Sequence, residues 1–148
     1  MKLLCICHAN ICRSFMAQEF FRQLVPNTTV WSRGLYADPT YRVPSKVREA
    51  LTRHQILFAG HTATPLTAQD LQMADLVFCM EKKHEMYLLD RYAQHTDKIW
   101  LLTEFANQPA RDIIDPISLE GNAFQKAADF LYHICQAAAT RIKQDFRL

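Results

Sequence analysis

Leu3-Leu4-Cys5-Ile6-Cys7-His8-Ala9-Asn10-Ile11-Cys12-Arg13-Ser14 opens the chain and sets its architecture: an apolar run, a cysteine, five spacers, then arginine and serine. The run Lys2 to Ile6 reads as a buried strand, and the residues from Ser14 to Leu24 read as an amphipathic helix. A loop between a strand and a helix is where an open α/β sheet binds its ligand. Five spacers can curl so that successive N–H groups point inward, and such a nest at a helix N-terminus holds an anion. Cys7 would sit at its floor, and the planar fork of Arg13 would grip two phosphoryl oxygens at once. Ser14 either caps the helix or turns its hydroxyl to the sulfur. A thiol is a poor nucleophile until it ionises, and the same dipoles and guanidinium that bind the substrate's charge stabilise an ionised sulfur. The plain alternative is a core cysteine followed by a surface arginine.

Outward from this loop, strands and helices alternate. Thr28 to Ser32 reads as a second strand bounded by Asn27 and Gly34, and Pro39 to Pro44 as loop. Ser45 is placed to cap a helix reaching about His54, and a short helix over Leu66 to Met73 precedes a strand over Asp75 to Met80. Glu81 to Tyr92 reads as helix, Lys98 to Leu102 as the fourth strand, and Thr103 to Ser118 as a long loop carrying Asp112 and Asp115. From Gly121 a closing helix carries an apolar stripe through Phe124, Ala128, Leu131, Ile134, Cys135, Ala138 and Ile142. Parallel strands need crossover connections, so the alternation predicts an α/β fold: a single open parallel sheet flanked by helices on both faces.

The 148 residues fit one domain, 1–148, and 49% hydrophobic with 22% charged residues is ordinary for a globular protein. The net charge of +2 lacks any Lys/Arg block, so neither a nucleic-acid surface nor a polybasic membrane anchor is expected. No apolar stretch approaches the roughly 20 residues that span a bilayer, and a cytoplasmic enzyme is the expectation. Five cysteines, at 5, 7, 12, 79 and 135, show no disulfide framework and read as reduced thiols. Cys5, Cys79 and Cys135 lie in apolar settings. Cys5, Cys7, His8 and Cys12 crowd the N-terminus, but Cys5-x-Cys7 does not suit a zinc site, and no metal is expected.

Cys7 to Ser14 resembles the signature of the low-molecular-weight protein tyrosine phosphatases, bacterial type, with Cys7, Asn10, Cys12, Arg13 and Ser14 in register. Ala9 stands where the family has glycine and Phe15 where it has proline. Ala9 fits only if its φ stays negative or strain is accepted, and Phe15 should cost little. Ser32-Arg33-Gly34, Gly60-His61-Thr62-Ala63, Ala74-Asp75 with Met80 to His84, and Asp115-Pro116 resemble further family anchors in order along the chain. The resemblance implies a four-stranded sheet in the order 2-1-3-4 and hydrolysis of aryl phosphomonoesters through a phosphocysteine, with no cofactor. Cys7 is the implied nucleophile, Arg13 the phosphate clamp and Asp115 the general acid and base. His8, Ala9, Asn10, Ile11, Cys12, Ser14 and Leu35 are the implied substrate-binding positions, with Ser32 and His61 supporting the loop. The implied partner is a phosphotyrosine protein, such as a bacterial tyrosine kinase.

Several readings stay open at this level. Asp112 competes with Asp115 as the acid. Where family members follow Asp-Pro with tyrosines, this chain has Ile117 and Ser118, so any apolar wall falls to Ile117. Cys7 and Cys12 form a reversible disulfide in the resembled family, or else Cys12 packs beneath the loop. Arsenate reduction on the same fold needs further cysteines, which Cys79 and Cys135 do not obviously supply. A phosphate-binding module without turnover is the alternative outside enzymes.

Overall fold

A computed structural model describes residues 1–148. The elements run β1 (Lys2–Cys7), α1 (Arg13–Leu24), β2 (Thr29–Gly34), α2 (Ser45–Arg53), α3 (Ala68–Met73), β3 (Leu76–Cys79), α4 (Lys82–Arg91), a 3-10 stretch (Ala93–Lys98), β4 (Ile99–Leu101), α5 (Leu102–Phe105) and α6 (Gly121–Phe146). The four strands form one sheet in the order β2-β1-β3-β4, and every pairing is parallel. This is the fold class expected from the alternation of elements and the strand order that the family resemblance implies.

Alternation along the strands divides the core. Leu3, Cys5, Val30, Leu76 and Phe78 join the larger cluster, which takes in Phe20 and Phe21 of α1, Val47 and Leu51 of α2, and Phe124, Leu131 and Ile134 of α6. Leu4, Ile6, Val77, Cys79 and Ile99 turn to the other face and meet Leu71 of α3 and Leu88 of α4. Side chains point to opposite faces at successive positions, so a strand covered on both sides must be apolar, as β3 and the Leu3 to Cys7 part of β1 are. Each fully buried ring or branched chain contributes about 1.5–3 kcal/mol. Phe21 and Phe78 stack across the larger cluster with centroids 5.3 Å apart.

Some boundaries differ from expectation for local reasons. Ser45 does not cap α2: it is the first helical residue, and extended Pro44 precedes it as the cap. Thr67, inside the region read as helix, caps α3 in a reciprocal capping box with Asp70. The long loop after β4 begins with the single turn α5, whose Leu102 and Phe105 are buried.

The parallel register brings Cys7 level with Gly34 and Ile6 level with Cys79. The loop after β1 therefore emerges at the C-terminal edge, between the ends of β2 and β3.

Candidate active site

A cavity of about 310 Å³ opens at this edge, lined by Cys7, His8, Ala9, Asn10, Ile11, Cys12, Arg13, Tyr41, Asp115 and Ile117. The loop after β1 forms its floor. The carbonyls of Cys7 and His8 accept from Leu35 N (3.0 Å) and Tyr36 N (2.9 Å), and the carbonyl of Cys12 accepts from Met16 N (2.8 Å). The carbonyl of Asn10 accepts from His61 Nε2 (2.7 Å), so that ring nitrogen carries the hydrogen. In a trans peptide the following N–H points opposite to the C=O, so these bonds turn the amides of His8, Ala9, Ile11 and Arg13 away from the groups that hold the loop, free to meet a ligand. No side chain caps the start of α1, because Cys12 is its N-cap residue and Ser14 is turned elsewhere. The first-turn donors of a 12-residue helix thus stand at the loop as an anion site.

Asn10 holds the loop in shape. Its φ is 62°, the left-handed conformation that asparagine tolerates, while Ala9 is not among the residues with positive φ and carries no such strain. The Asn10 amide is fully engaged: Nδ2 donates to Ser14 Oγ and Ser32 Oγ, both at 2.9 Å, and Oδ1 accepts from Thr64 N at 3.0 Å. Ser32 Oγ in turn donates to Gln18 Oε1 at 2.7 Å. Cys7 Sγ lies 2.9 Å from Ser14 Oγ and 3.4 Å from Asn10 N. Because Asn10 already donates to Ser14, the serine's own hydrogen is free to meet an ionised sulfur. Charge-assisted bonds of this kind are roughly twice as strong as neutral ones.

Arg13, with its side chain 3% exposed, is aimed by two bonds from Nη1: 2.7 Å to Glu81 Oε2 and 2.9 Å to the carbonyl of Ile113. That leaves Nε and Nη2 as the fork for two phosphoryl oxygens. Burial works to raise the Glu81 pKa, but the hydrogen bond and charge of Arg13 outweigh it, and the net shift is downward. Asp115 Oδ2 stands 3.5 Å from Arg13 Nη2, and its Oδ1 accepts from Ile117 N at 3.1 Å. Asp112 is elsewhere: its Oδ1 accepts from Lys82 N at 2.6 Å, capping α4 in place of a side chain from Glu81. Of the two candidate acids, only Asp115 lines the cavity.

Of the residues expected at the site, Cys7 to Arg13 and Asp115 line the cavity, while Ser14, Ser32, Leu35 and His61 lie outside its lining. Leu35 does not line the cavity: its backbone bonds to Cys7, and its side chain packs against the smaller core cluster with Trp31 and Leu66. Tyr41, inside the proline-bounded loop from Pro39 to Pro44, occupies the wall instead. The His8 ring lies tilted against Tyr36, with centroids 4.9 Å apart and planes at 39°. Phe15 is more than a tolerated substitute for proline. It is 1% exposed and stacks flat on His61 at 4.1 Å, holding the ring that bonds Asn10. Burial lowers the pKa of His61, against the pull of its bond to Asn10, so the ring favours the neutral form. The five cysteines are free. Cys12 also lines the cavity, and burial, with the nearby charges of Cys7 and Asp115, pushes its thiol up to about 12. Cys5 lies wholly in the core and does not share the cavity with Cys7, His8 and Cys12.

The 2-1-3-4 sheet with this loop at its edge has counterparts among known proteins. The sequence model described as low molecular weight phosphotyrosine protein phosphatase matches residues 2–148. The chain belongs to this family. The phosphatase is 28% identical to a protein-arginine-phosphatase of Bacillus subtilis, with 99% of this chain and 100% of that protein covered. It is 30% identical to EpsP of Ralstonia nicotianae, a probable low molecular weight protein-tyrosine-phosphatase, over 95% of each. Among solved structures, a Cys→Ser mutant of the YwlE arginine phosphatase with a phosphorylated active-site serine superposes with a TM-score of 0.91 at 27% identity, covering 99% of both chains. The low molecular weight protein tyrosine phosphatase of T. tengcongensis gives 0.85 at 29% identity, covering 93% of this chain and 96% of that one. The phosphatase is thus a cysteine-based phosphoric monoester hydrolase in family and fold. No helix of the chain is long and apolar enough to cross a membrane.

Proposed function

We propose that residues 1–148 form a single catalytic domain that hydrolyses phosphotyrosine in proteins in two displacements. Cys7 attacks phosphorus and forms the S–P bond as the P–O bond to the tyrosine breaks. Asp115 donates its proton to the departing phenolic oxygen. Arg13 and the loop amides hold the three equatorial oxygens, where charge gathers in the transition state. Asp115, now a carboxylate, takes a proton from the water whose oxygen displaces the sulfur, releasing phosphate and the thiolate. The observation that carries this reading is the shared cavity, which gathers the sulfur, the free fork of the guanidinium and the 3.5 Å neighbour Asp115.

The walls favour an aryl group. Ile11, Tyr41 and Ile117 offer apolar faces to a planar ring, and Asp115 is the one carboxylate lining the cavity. A phosphoarginine side chain, the substrate class named for the Bacillus subtilis relative, would bring a guanidinium into those apolar walls. Burying it without a dedicated partner is costly. Arsenate reduction is disfavoured because Cys79 and Cys135 are fully buried, away from the cavity. Reduced thiols and the absence of a long apolar helix agree with a cytoplasmic site of action, where a phosphorylated tyrosine kinase is a natural protein substrate.

The test compares kcat/KM on matched phosphotyrosine and phosphoarginine peptides. We expect the phosphotyrosine peptide to win by about 10-fold or more, on the scale of a buried polar mismatch. A preference for phosphoarginine would reverse the substrate assignment. Cys7→Ser should be inactive yet still bind inorganic phosphate, and turnover by that variant would end the covalent mechanism. A wild type that binds phosphotyrosine without turnover would make the chain a binding module.

A further inference from the structure

The loop that carries Asp115 is fastened at two ends. At its entry, Ile113 N donates to the carbonyl of Met80 at 2.8 Å, and the carbonyl of Ile113 accepts from Arg13. Between the fastenings Ile114 is 80% exposed and the Asp115 side chain 44%, while Pro116 is buried. At its exit stands one side chain from a distant element, Lys46 in the first turn of α2.

Lys46 Nζ has three hydrogens, and all three are used on this segment. They go to the carbonyl of Ile117 (2.5 Å), the carbonyl of Leu119 (2.8 Å) and Glu120 Oε1 (3.0 Å). The side chain is only 13% exposed, and the ammonium lies 5.3 Å from the Phe124 ring centroid, within reach of a cation–π contact. Gln125 Nε2 donates back to the Lys46 carbonyl at 3.3 Å, tying the start of α2 to that of α6. An exposed lysine in a single ion pair is worth little. A sheltered ammonium gathering two carbonyls and a carboxylate fixes a backbone.

We propose that Lys46 is a positioning residue for the general acid: it sets the Ile117 peptide, and through it the aim of Asp115. The route is short. Ile117 N donates to Asp115 Oδ1 while the carbonyl of the same residue accepts from Lys46. Ile117 also lines the cavity, so the clamp orients one wall along with the acid. A group that must meet a leaving oxygen within hydrogen-bond reach loses efficiency steeply when displaced by about 1 Å. Losing the clamp should therefore resemble a partial loss of Asp115.

This rests on Asp115 being the acid, so the test separates the two claims. kcat/KM reports steps up to transfer of the phosphoryl group to Cys7, and it is read over aryl phosphates of increasing leaving-group pKa. Asp115→Asn should steepen that dependence. Lys46→Met, which keeps the apolar stem, should steepen it in the same sense, with about 10- to 100-fold loss on phenyl phosphate and under about 3-fold loss on a nitrophenyl phosphate. Lys46→Arg should recover part of the loss. In the Asp115→Asn background, Lys46→Met should cost nothing further on phenyl phosphate. An equal loss on every leaving group, or the same loss with and without Asp115, would overturn the proposal and leave Lys46 a scaffold residue. An unchanged slope in Asp115→Asn would remove the acid assignment and the clamp's role with it. Should Lys46→Met fold poorly, Lys46→Gln carries the same comparison, since its amide keeps donors for the two carbonyls, with a smaller steepening expected and a parallel loss again overturning the proposal.

Discussion

His84, at the start of α4, is 2% exposed and neither ring nitrogen has a hydrogen-bond partner. Burial and the charge of Arg13, only partly opposed by Glu81, push it down to about 4, with Lys83 and His8 acting in the same direction as Arg13. The ring is neutral when folded and binds a proton near pH 6.5 when unfolded. The unfolded state thus holds more protons between pH 6.5 and 4, and stability falls as pH drops through that window. The shift corresponds to about 3 kcal/mol at most, to which His61, also lowered, adds in the same sense. Urea unfolding at pH 7 and pH 4.5 should show a large loss for wild type and a much smaller one for His84→Leu. Identical pH dependence in the two proteins would refute this account. Phe15→Ala should cost about 3–5 kcal/mol by calorimetry, since it removes a buried ring and the stack on His61. Single residues were read unevenly from the sequence. Asn10 was legible as a loop position through the family resemblance, and its left-handed backbone is one that its own side chain tolerates. The stacking of Phe15 was not, because its partner lies 46 residues on and meets it only after folding.

At the scale of elements, the decisive closeness is that of the end of β2 to the loop after β1. A Cβ at Gly34 would lie 2.8 Å from the carbonyl oxygen of His8 and 3.0 Å from the carbonyl carbon of Ala9. Both are backbone atoms of the phosphate loop, so the loop itself would have to move. Gly34→Ala should lose about 1–3 kcal/mol of stability and about 10-fold or more in kcat/KM. Thermal melts and aryl phosphate assays measure both, and full activity in that variant would contradict the tight approach. Strands and long helices were legible because their apolar periods are local. Tyr41, Lys46, Gln18 and Glu81 were not singled out, because each acts on another element: a cavity wall, a loop exit, a serine and an arginine. Only Glu81 had a sequence signal, lying within the Met80 to His84 segment that resembles the family.

For the whole molecule, the anion site couples ligand binding to folding. Anything bound by the native loop and not by the unfolded chain stabilises by mass action. Inorganic phosphate at about 100 times its Kd should add about 2.7 kcal/mol, raising Tm by roughly 5–10 °C for a chain of this size. Arg13→Lys should abolish most of that rise in a thermal-shift titration, because an ammonium cannot supply the fork. An equal shift in both proteins would place the anion elsewhere. The parallel sheet and its crossovers followed from the alternation of apolar periods, whereas the strand order came only with the family resemblance. Periodicity tells what each segment is, not which neighbour it chooses.

The Ile113 carbonyl grips the guanidinium that would hold the phosphoryl group, so one end of the acid loop belongs to the clamp itself. The stretch from 114 to 117 does not: it is a short bridge, exposed at Ile114, Asp115 and Ile117 and buried only at Pro116, slung between that grip and the lysine of α2. Selection for new leaving groups can change the Ile117 side chain, which lines the cavity, while Asp115 and both abutments stand, so a single wall position offers a route to altered substrate choice that leaves the attack on phosphorus intact.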